Sequence, residues 1–176
     1  MESPSQALFP AQPDNPPGEA RKHLIFTLGV EAFAIDIAQT REITEYGSLT
    51  EVPMVPKAIR GVINLRGAVV PVIDLAARFG RGSTRVTRRT CIVILELELE
   101  GGDGLQTLGI VVDGVNEVLE IPAADIAPAP SFGAGLRTDF IAGMGRVGED
   151  FIVILDLPRV LSLGALTHSL PDLIRP

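Results

Sequence analysis

One stretch, Ile59 to Leu75, constrains the fold more than any other: Ile-Arg-Gly-Val-Ile-Asn-Leu-Arg-Gly-Ala-Val-Val-Pro-Val-Ile-Asp-Leu. Two β-branched runs, Val62-Ile63 and Val69 to Ile73, flank the tight segment Asn64-Leu65-Arg66-Gly67. Valine and isoleucine fit a pleated, half-buried surface, and Gly67 supplies the positive φ that a short hairpin needs. The segment therefore predicts a β-hairpin that lifts a lone cation, Arg66, out of apolar surroundings. Pro71 has no N–H, so its strand is expected at a sheet edge, or turned away from pairing at that residue. Asp74 to Gly80 then reads as a short helix, with Asp74 as N-cap and Gly80 just past its end.

The second half of the chain echoes this stretch. Ile59-Arg60-Gly61-Val62 matches Ile141-Ala142-Gly143-Met144, and Val72-Ile73-Asp74-Leu75 matches Ile154-Leu155-Asp156-Leu157, at one offset (143 − 61 and 156 − 74 both give 82). Upstream, Phe33 to Ile37 through Glu42-Ile43 resembles Leu108 to Val112 through Glu117-Val118, at an offset of 75 (117 − 42). The difference places a loop insertion within Pro122 to Leu136. About five short strands per copy, punctuated by glycine and proline, predict small closed barrels, which remove exposed edges in little sequence. The expected fold is mostly β, two barrels in pseudo-symmetric tandem sharing an apolar seam, with a groove between them. Residues required by the fold should recur in both copies. Asp74 and Asp156 do, as helix caps, and Gly61 and Gly143 do, as backbone constraints. Arg66 does not, because its counterpart is Gly148.

Around these repeats, residues 1–20 hold five of the fourteen prolines and read as a disordered tail. The folded unit is expected over 21–163, with two intertwined subdomains connected near 80–90, and 164–176 as a frayed end. His23 to Leu28, Ala32 to Ile37, Cys91 to Leu99, Leu105 to Val112 and Phe151 to Leu155 read as strands, while Ala38 to Ile43 fits either a helical turn or a strand. Gly101-Gly102-Asp103-Gly104 is a hairpin turn. Arg81, Arg85, Arg88 and Arg89 fall in a Gly/Ser/Thr segment and read as an exposed connection.

Composition excludes several function classes. A net charge of −7 and a pI near 4.8 oppose nucleic-acid binding, which needs clustered basic residues. No apolar run reaches the roughly 18 residues of a membrane span, and no signal peptide is apparent, so a cytoplasmic protein with no direct membrane insertion is expected. Cys91 is the single cysteine and suits a reducing compartment. With His23 and His168 near opposite ends, no zinc spacing exists and no cofactor is implied. Asp74 and Asp156 could be proposed as an acid/base pair, but the cap reading explains both. No nucleophile motif is present, and Cys91 begins an apolar strand. The chain is expected to be no enzyme. A compact β protein without a catalytic constellation points to protein–protein binding.

The residues also carry a family resemblance. Phe26-Thr-Leu-Gly, Ala34-Ile-Asp-Ile37, Arg41-Glu-Ile43, Ile59-Arg-Gly-Val-Ile-Asn-Leu-Arg-Gly67, Val70-Pro-Val-Ile-Asp-Leu75, Gly109-Ile-Val-Val-Asp-Gly-Val115 and Ile126-Ala-Pro-Ala-Pro130 closely resemble the CheW family of bacterial chemotaxis coupling proteins, over about residues 22 to 163. The resemblance implies two five-stranded SH3-like barrels with short helices. It also implies an adaptor joining methyl-accepting chemoreceptors to the histidine kinase CheA, whose regulatory domain shares the fold, recruited to receptor arrays at the inner membrane. Ile37, Glu42, Gly61, Arg66, Gly109 and Val115 resemble the receptor-facing set, and Ile43 the kinase-facing surface. Thr40 stands where the family commonly has an apolar residue. An adaptor of a parallel pathway, such as type IV pilus motility, or a small-ligand-binding β protein are the other readings.

Overall fold

A computed structural model describes residues 20–47, 49–99, 104–129 and 137–162. The strands are β1 (Ala20–Leu28), β2 (Glu31–Asp36), β3 (Thr40–Glu45), β4 (Ile59–Leu65), β5 (Ala68–Asp74), β6 (Cys91–Glu98), β7 (Leu105–Val112), β8 (Gly114–Pro122), β9 (Ile126–Ala127), β10 (Ile141–Val147) and β11 (Asp150–Leu155). Short helices Leu75–Arg78 and Leu157–Val160 follow β5 and β11, with Asp74 and Asp156 as their N-caps. The ambiguous segment Ala38 to Ile43 is both of its alternatives, a 3-10 turn over Ile37–Gln39 running into β3. Ala20, assigned to the tail by composition, opens β1. Residues 1–19 and 163–176, the Gly101-Gly102-Asp103 part of the glycine turn, His168 and the 130–136 part of the inserted loop lie outside the described residues.

Two sheets result, one ordered β8-β1-β2-β11-β10-β9 and the other β3-β6-β7-β5-β4. Their orders are the same once repeat counterparts are matched: β8 with β3, β1 with β6, β2 with β7, β11 with β5, β10 with β4. The first sheet therefore takes two strands from the first copy and four from the second, β9 being the extra one, and the second sheet takes three from the first copy and two from the second. The copies meet through the parallel pairs β2–β11 and β5–β7 and the antiparallel pairs β1–β8 and β3–β6. This reciprocal exchange makes the halves intertwined, so neither copy can bury its strands alone.

The expected closed barrels are open, curled sheets, and the hydrogen bonds show why. The outer backbone groups of Val62 in β4 exchange bonds with Thr50 at 2.8 and 2.9 Å, so that edge is already paired and cannot join β3. In the other sheet β9 occupies the matching edge of β10, through Met144↔Ala127. The same detail explains Pro71. Its strand β5 is interior rather than at an edge. Because Val62 spends its N–H and C=O on Thr50, the facing Val62↔Pro71 pair needs no N–H from proline, and on the other side the ladder with β7 begins only at Val72, past it.

Strand alternation sends side chains into three cores. The largest is the seam between the sheets, built from Leu24, Phe26, Phe33 and Ile35 on one side and Ile73, Val93, Leu95 and Ile110 on the other. Smaller cores fill each curl: Ile25, Ala34, Ile121, Ile152 and Ile154 in one sheet, Val72, Ile92, Ile94 and Val111 in the other. Phe26, Phe33, Phe79 and Phe140 form a ladder through the seam with centroid spacings of 6.1, 5.8 and 5.8 Å, within the range where ring pairs add to burial. Arg78 donates to the carbonyl of Val160 at 2.7 Å and lies over Phe140, tying the helix of one copy to that of the other.

Candidate binding surface

The β4–β5 hairpin turns through two residues, Arg66 and Gly67, between the paired Leu65 and Ala68. Both have positive φ, 52° for Arg66 and 90° for Gly67, and the Asn64 carboxamide oxygen accepts from the Gly67 N–H at 2.9 Å. A left-handed conformation is costly for any side chain with a Cβ, by about 1–2 kcal/mol. The counterpart turn avoids that cost, since Gly148 holds the position of Arg66 at φ 63°. Arginine is therefore kept at a place where the repeated backbone prefers glycine.

Arg66 is not the lone cation that the sequence suggested. Its guanidinium meets the Glu42 carboxylate of β3 at 2.8 Å, across 24 residues of chain. The Arg66 side chain stays 65 % exposed and that of Glu42 29 %, so the pair is an accessible surface feature. Hydrogen bonding from Arg66 holds the Glu42 carboxyl below its usual pKa of 4.5, and the pair in turn raises Arg66. The link therefore persists above that value and dissolves as pH falls through the depressed pKa of Glu42.

The other expected receptor-facing residues are distributed less openly. Ile37 and Val115 are half-buried and pack against the seam core. Gly61 is buried, and a Cβ there would stand 2.3 Å from the Thr50 carbonyl oxygen, so the crossing segment requires glycine. Gly109 is buried in β7, where a Cβ would meet Ile92 Cγ2 at 2.9 Å and Val72 Cγ2 at 3.3 Å. Of the set, the structure joins Glu42 directly to Arg66 and places the two glycines beneath the surface. Ile43 follows Glu42 on β3 and faces the opposite way, 43 % exposed at the sheet edge. Its repeat counterpart Val118, on edge strand β8, is 48 % exposed.

Thr40 carries a buried hydroxyl with no hydrogen-bond partner among the described residues. Its counterpart, at the same bulge of the edge strand, is Val115. Thr40→Val should therefore stabilise the fold by roughly 1–2 kcal/mol, the cost of an unsatisfied buried hydroxyl. Chemical denaturation checks this, and an unchanged or lower midpoint would contradict it.

Sequence reasoning missed a second cluster. Asp74 caps its helix through the Ala77 N–H at 3.4 Å, but it also accepts from Thr84 N at 2.8 Å, Thr84 Oγ1 at 2.7 Å and Arg60 at 2.7 Å, with no exposure of its own. Arg60 additionally donates to the Tyr46 hydroxyl at 3.1 Å. Burial works against the charge of Arg60, and Tyr46 and Asp74 more than offset it, so its pKa stands above the ordinary arginine value. The connection near 80–90 is thus not simply exposed: Thr84 is buried and anchors it. Comparing Arg60 with Ala142 across the repeat was the signal that could have found this cluster.

Among the described residues no group of three or more His, Cys, Asp or Glu side chains is placed to hold a metal ion. None of the helices is long and apolar enough to cross a membrane. What the geometry offers is a tandem β scaffold with displayed polar and apolar side chains, the build of a protein-binding module. A CheW-like domain matches residues 22–164. The chain is 39% identical to the chemotaxis protein CheW of Klebsiella aerogenes over 142 residues, covering 81% of this chain and 82% of that one. It is 33% identical to protein FrzA of Myxococcus xanthus, covering 77% and 82%. The crystal structure of the scaffolding protein TtCheW from Thermoanaerobacter tengcongensis superposes with a TM-score of 0.71 at 34% identity, over 80% of this chain and 92% of that one. The chain belongs to the CheW family, whose members are non-catalytic chemotaxis scaffolds.

Proposed function

We propose that the chain is a cytoplasmic coupling adaptor that joins methyl-accepting chemoreceptors to the histidine kinase CheA, at receptor arrays on the inner membrane. The observation that carries the receptor half is Arg66, held at positive φ and paired with Glu42, where the other copy has glycine. Strain retained at one copy of a repeated turn is a mark of function rather than of folding. A receptor helix tip offers carboxylates and backbone carbonyls, which a guanidinium binds through two parallel hydrogen bonds. Ile37, Gly61, Gly109 and Val115 serve the same surface from beneath, by setting where β3, β4, β7 and β8 run. Ile43, on the opposite face of β3, is the contact for the CheA regulatory domain. One strand then presents each partner to one of its faces, which lets a single rigid element hold both. Co-sedimentation with a receptor signalling fragment and with the isolated CheA regulatory domain tests this: the chain should bind each alone and both together. Binding to neither would overturn the reading.

A second reading is an adaptor of a parallel chemosensory pathway, such as type IV pilus motility, and the likeness to FrzA supports keeping it. Deleting the gene separates the two, since loss of swimming chemotaxis favours the first and loss of twitching the second.

A further inference from the structure

The Tyr46–Arg60–Asp74 cluster lies beside the smaller core of one sheet, against which Tyr46 packs. Its counterparts in the other sheet, at the offsets of the repeat, are Ile121, Ala142 and Asp156. All three line a cavity of about 560 Å³. Alanine in place of Arg60 supplies no guanidinium at that position, and among the described residues Asp156 pairs only with its own helix neighbour. Asp156 keeps a cap bond from Arg159 N at 3.2 Å, with Arg159 Nε 3.7 Å from its second oxygen.

Two further lining residues have no precedent in the first sheet. His23 and Asp36 stand where the strand pairing puts Ile92 and Val111 in the other copy. The fold does not need polar groups there. His23 is 3 % exposed and its Nδ1 lies 3.1 Å from the Arg21 carbonyl oxygen, which can only accept. Nδ1 therefore carries the proton, and Nε2 of the neutral ring is an acceptor with no partner among the described residues. Burial lowers the pKa of His23, which keeps the ring neutral. Asp36 caps the 3-10 turn through Ala38 N at 2.9 Å and meets Arg21 at 3.3 Å across the cavity rim. The cavity thus combines acceptors, from Asp156, Asp36 and His23, with apolar walls from Ile121, Ile126 and Leu157, and Arg21, which also lines it, has its charge met by Asp36. A planar, donor-only cation on an aliphatic stem satisfies both.

We propose that this cavity is a binding site for the guanidinium group of an arginine, entering where Arg60 sits in the other half and pairing with Asp156.

Isothermal titration of the full chain with Nα-acetyl-arginine amide, free L-arginine and the neutral Nα-acetyl-citrulline amide tests the assignment. Saturable binding of the arginine amide is expected, with the citrulline analogue at least tenfold weaker. Tighter binding of the amide than of free arginine identifies a protein-borne source, and the reverse order a free metabolite. Asp156→Asn keeps a competent helix cap and should weaken binding at least tenfold. Ala142→Arg should rebuild the Arg60–Asp74 pair in cis, abolishing binding and raising the Tm. No saturable binding by the wild-type chain, equal binding of the citrulline analogue, or full binding by Ala142→Arg with its fold intact would each overturn the proposal.

Discussion

Asp74→Ala is expected to cost about 3–5 kcal/mol of folding stability, the range for removing one partner of a buried, hydrogen-bonded ion pair. The carboxylate is fully buried and accepts from Arg60, Ala77 and Thr84, so its loss strands a half-buried guanidinium and frees the connection near 80–90. Against a total stability of about 5–15 kcal/mol, that leaves a marginal protein. Asp156 provides the internal control. It occupies the same place in the repeat but makes the cap bond and an exposed contact with Arg159, so Asp156→Ala should cost only about 1 kcal/mol, the usual value of an N-cap. Urea unfolding of both variants reads the difference directly. Equal losses would mean that the Arg60–Thr84 network adds nothing beyond the cap.

Arg66→Gly should separate recognition from folding. Glycine removes the left-handed strain of about 1–2 kcal/mol, and the surface pair with Glu42 that it also removes is worth about 0–1 kcal/mol. The Tm should therefore hold or rise, as the glycine at the matching turn, Gly148, suggests. Receptor binding should fall at least tenfold, because a lost charge-assisted hydrogen bond is worth about 1.5–3 kcal/mol. The double variant Glu42→Arg with Arg66→Glu rebuilds the pair with its charges exchanged. If Arg66 touches the receptor itself, the exchange does not restore binding. If the pair serves only to tie the hairpin to β3, binding returns and the assigned role of Arg66 is wrong. Affinity for the CheA regulatory domain should be unaffected in either variant.

Much of this was legible because the repeat doubles the information in the chain. The hairpin, both capped helices, the shared seam and the recurrence of Gly61 as Gly143 follow from local chemistry seen twice. What was not legible depends on residues distant in sequence. Asp74 read as a cap because Ala77 lies three residues away, whereas Thr84 and Arg60 reach it only once the chain folds back. Arg66 read as unpaired because Glu42 belongs to another strand. Barrel closure was expected from strand number, yet the edge of β4 had already been taken by Thr50, a single residue with no strand signal of its own. Val115 and Ile37 could have been core or surface on periodicity, and they are half-buried against the seam.

The central claim is that one chain holds receptor and kinase together through different faces. Receptor-bearing membranes should be sedimented with CheA in the absence of the chain, with the wild-type chain and with Arg66→Gly. CheA should reach the pellet with the wild-type chain and stay in the supernatant without it. With Arg66→Gly, CheA and the variant should remain together in the supernatant as a complex. CheA sedimenting equally in all three samples, or a wild-type chain that pellets without bringing CheA, would contradict the account.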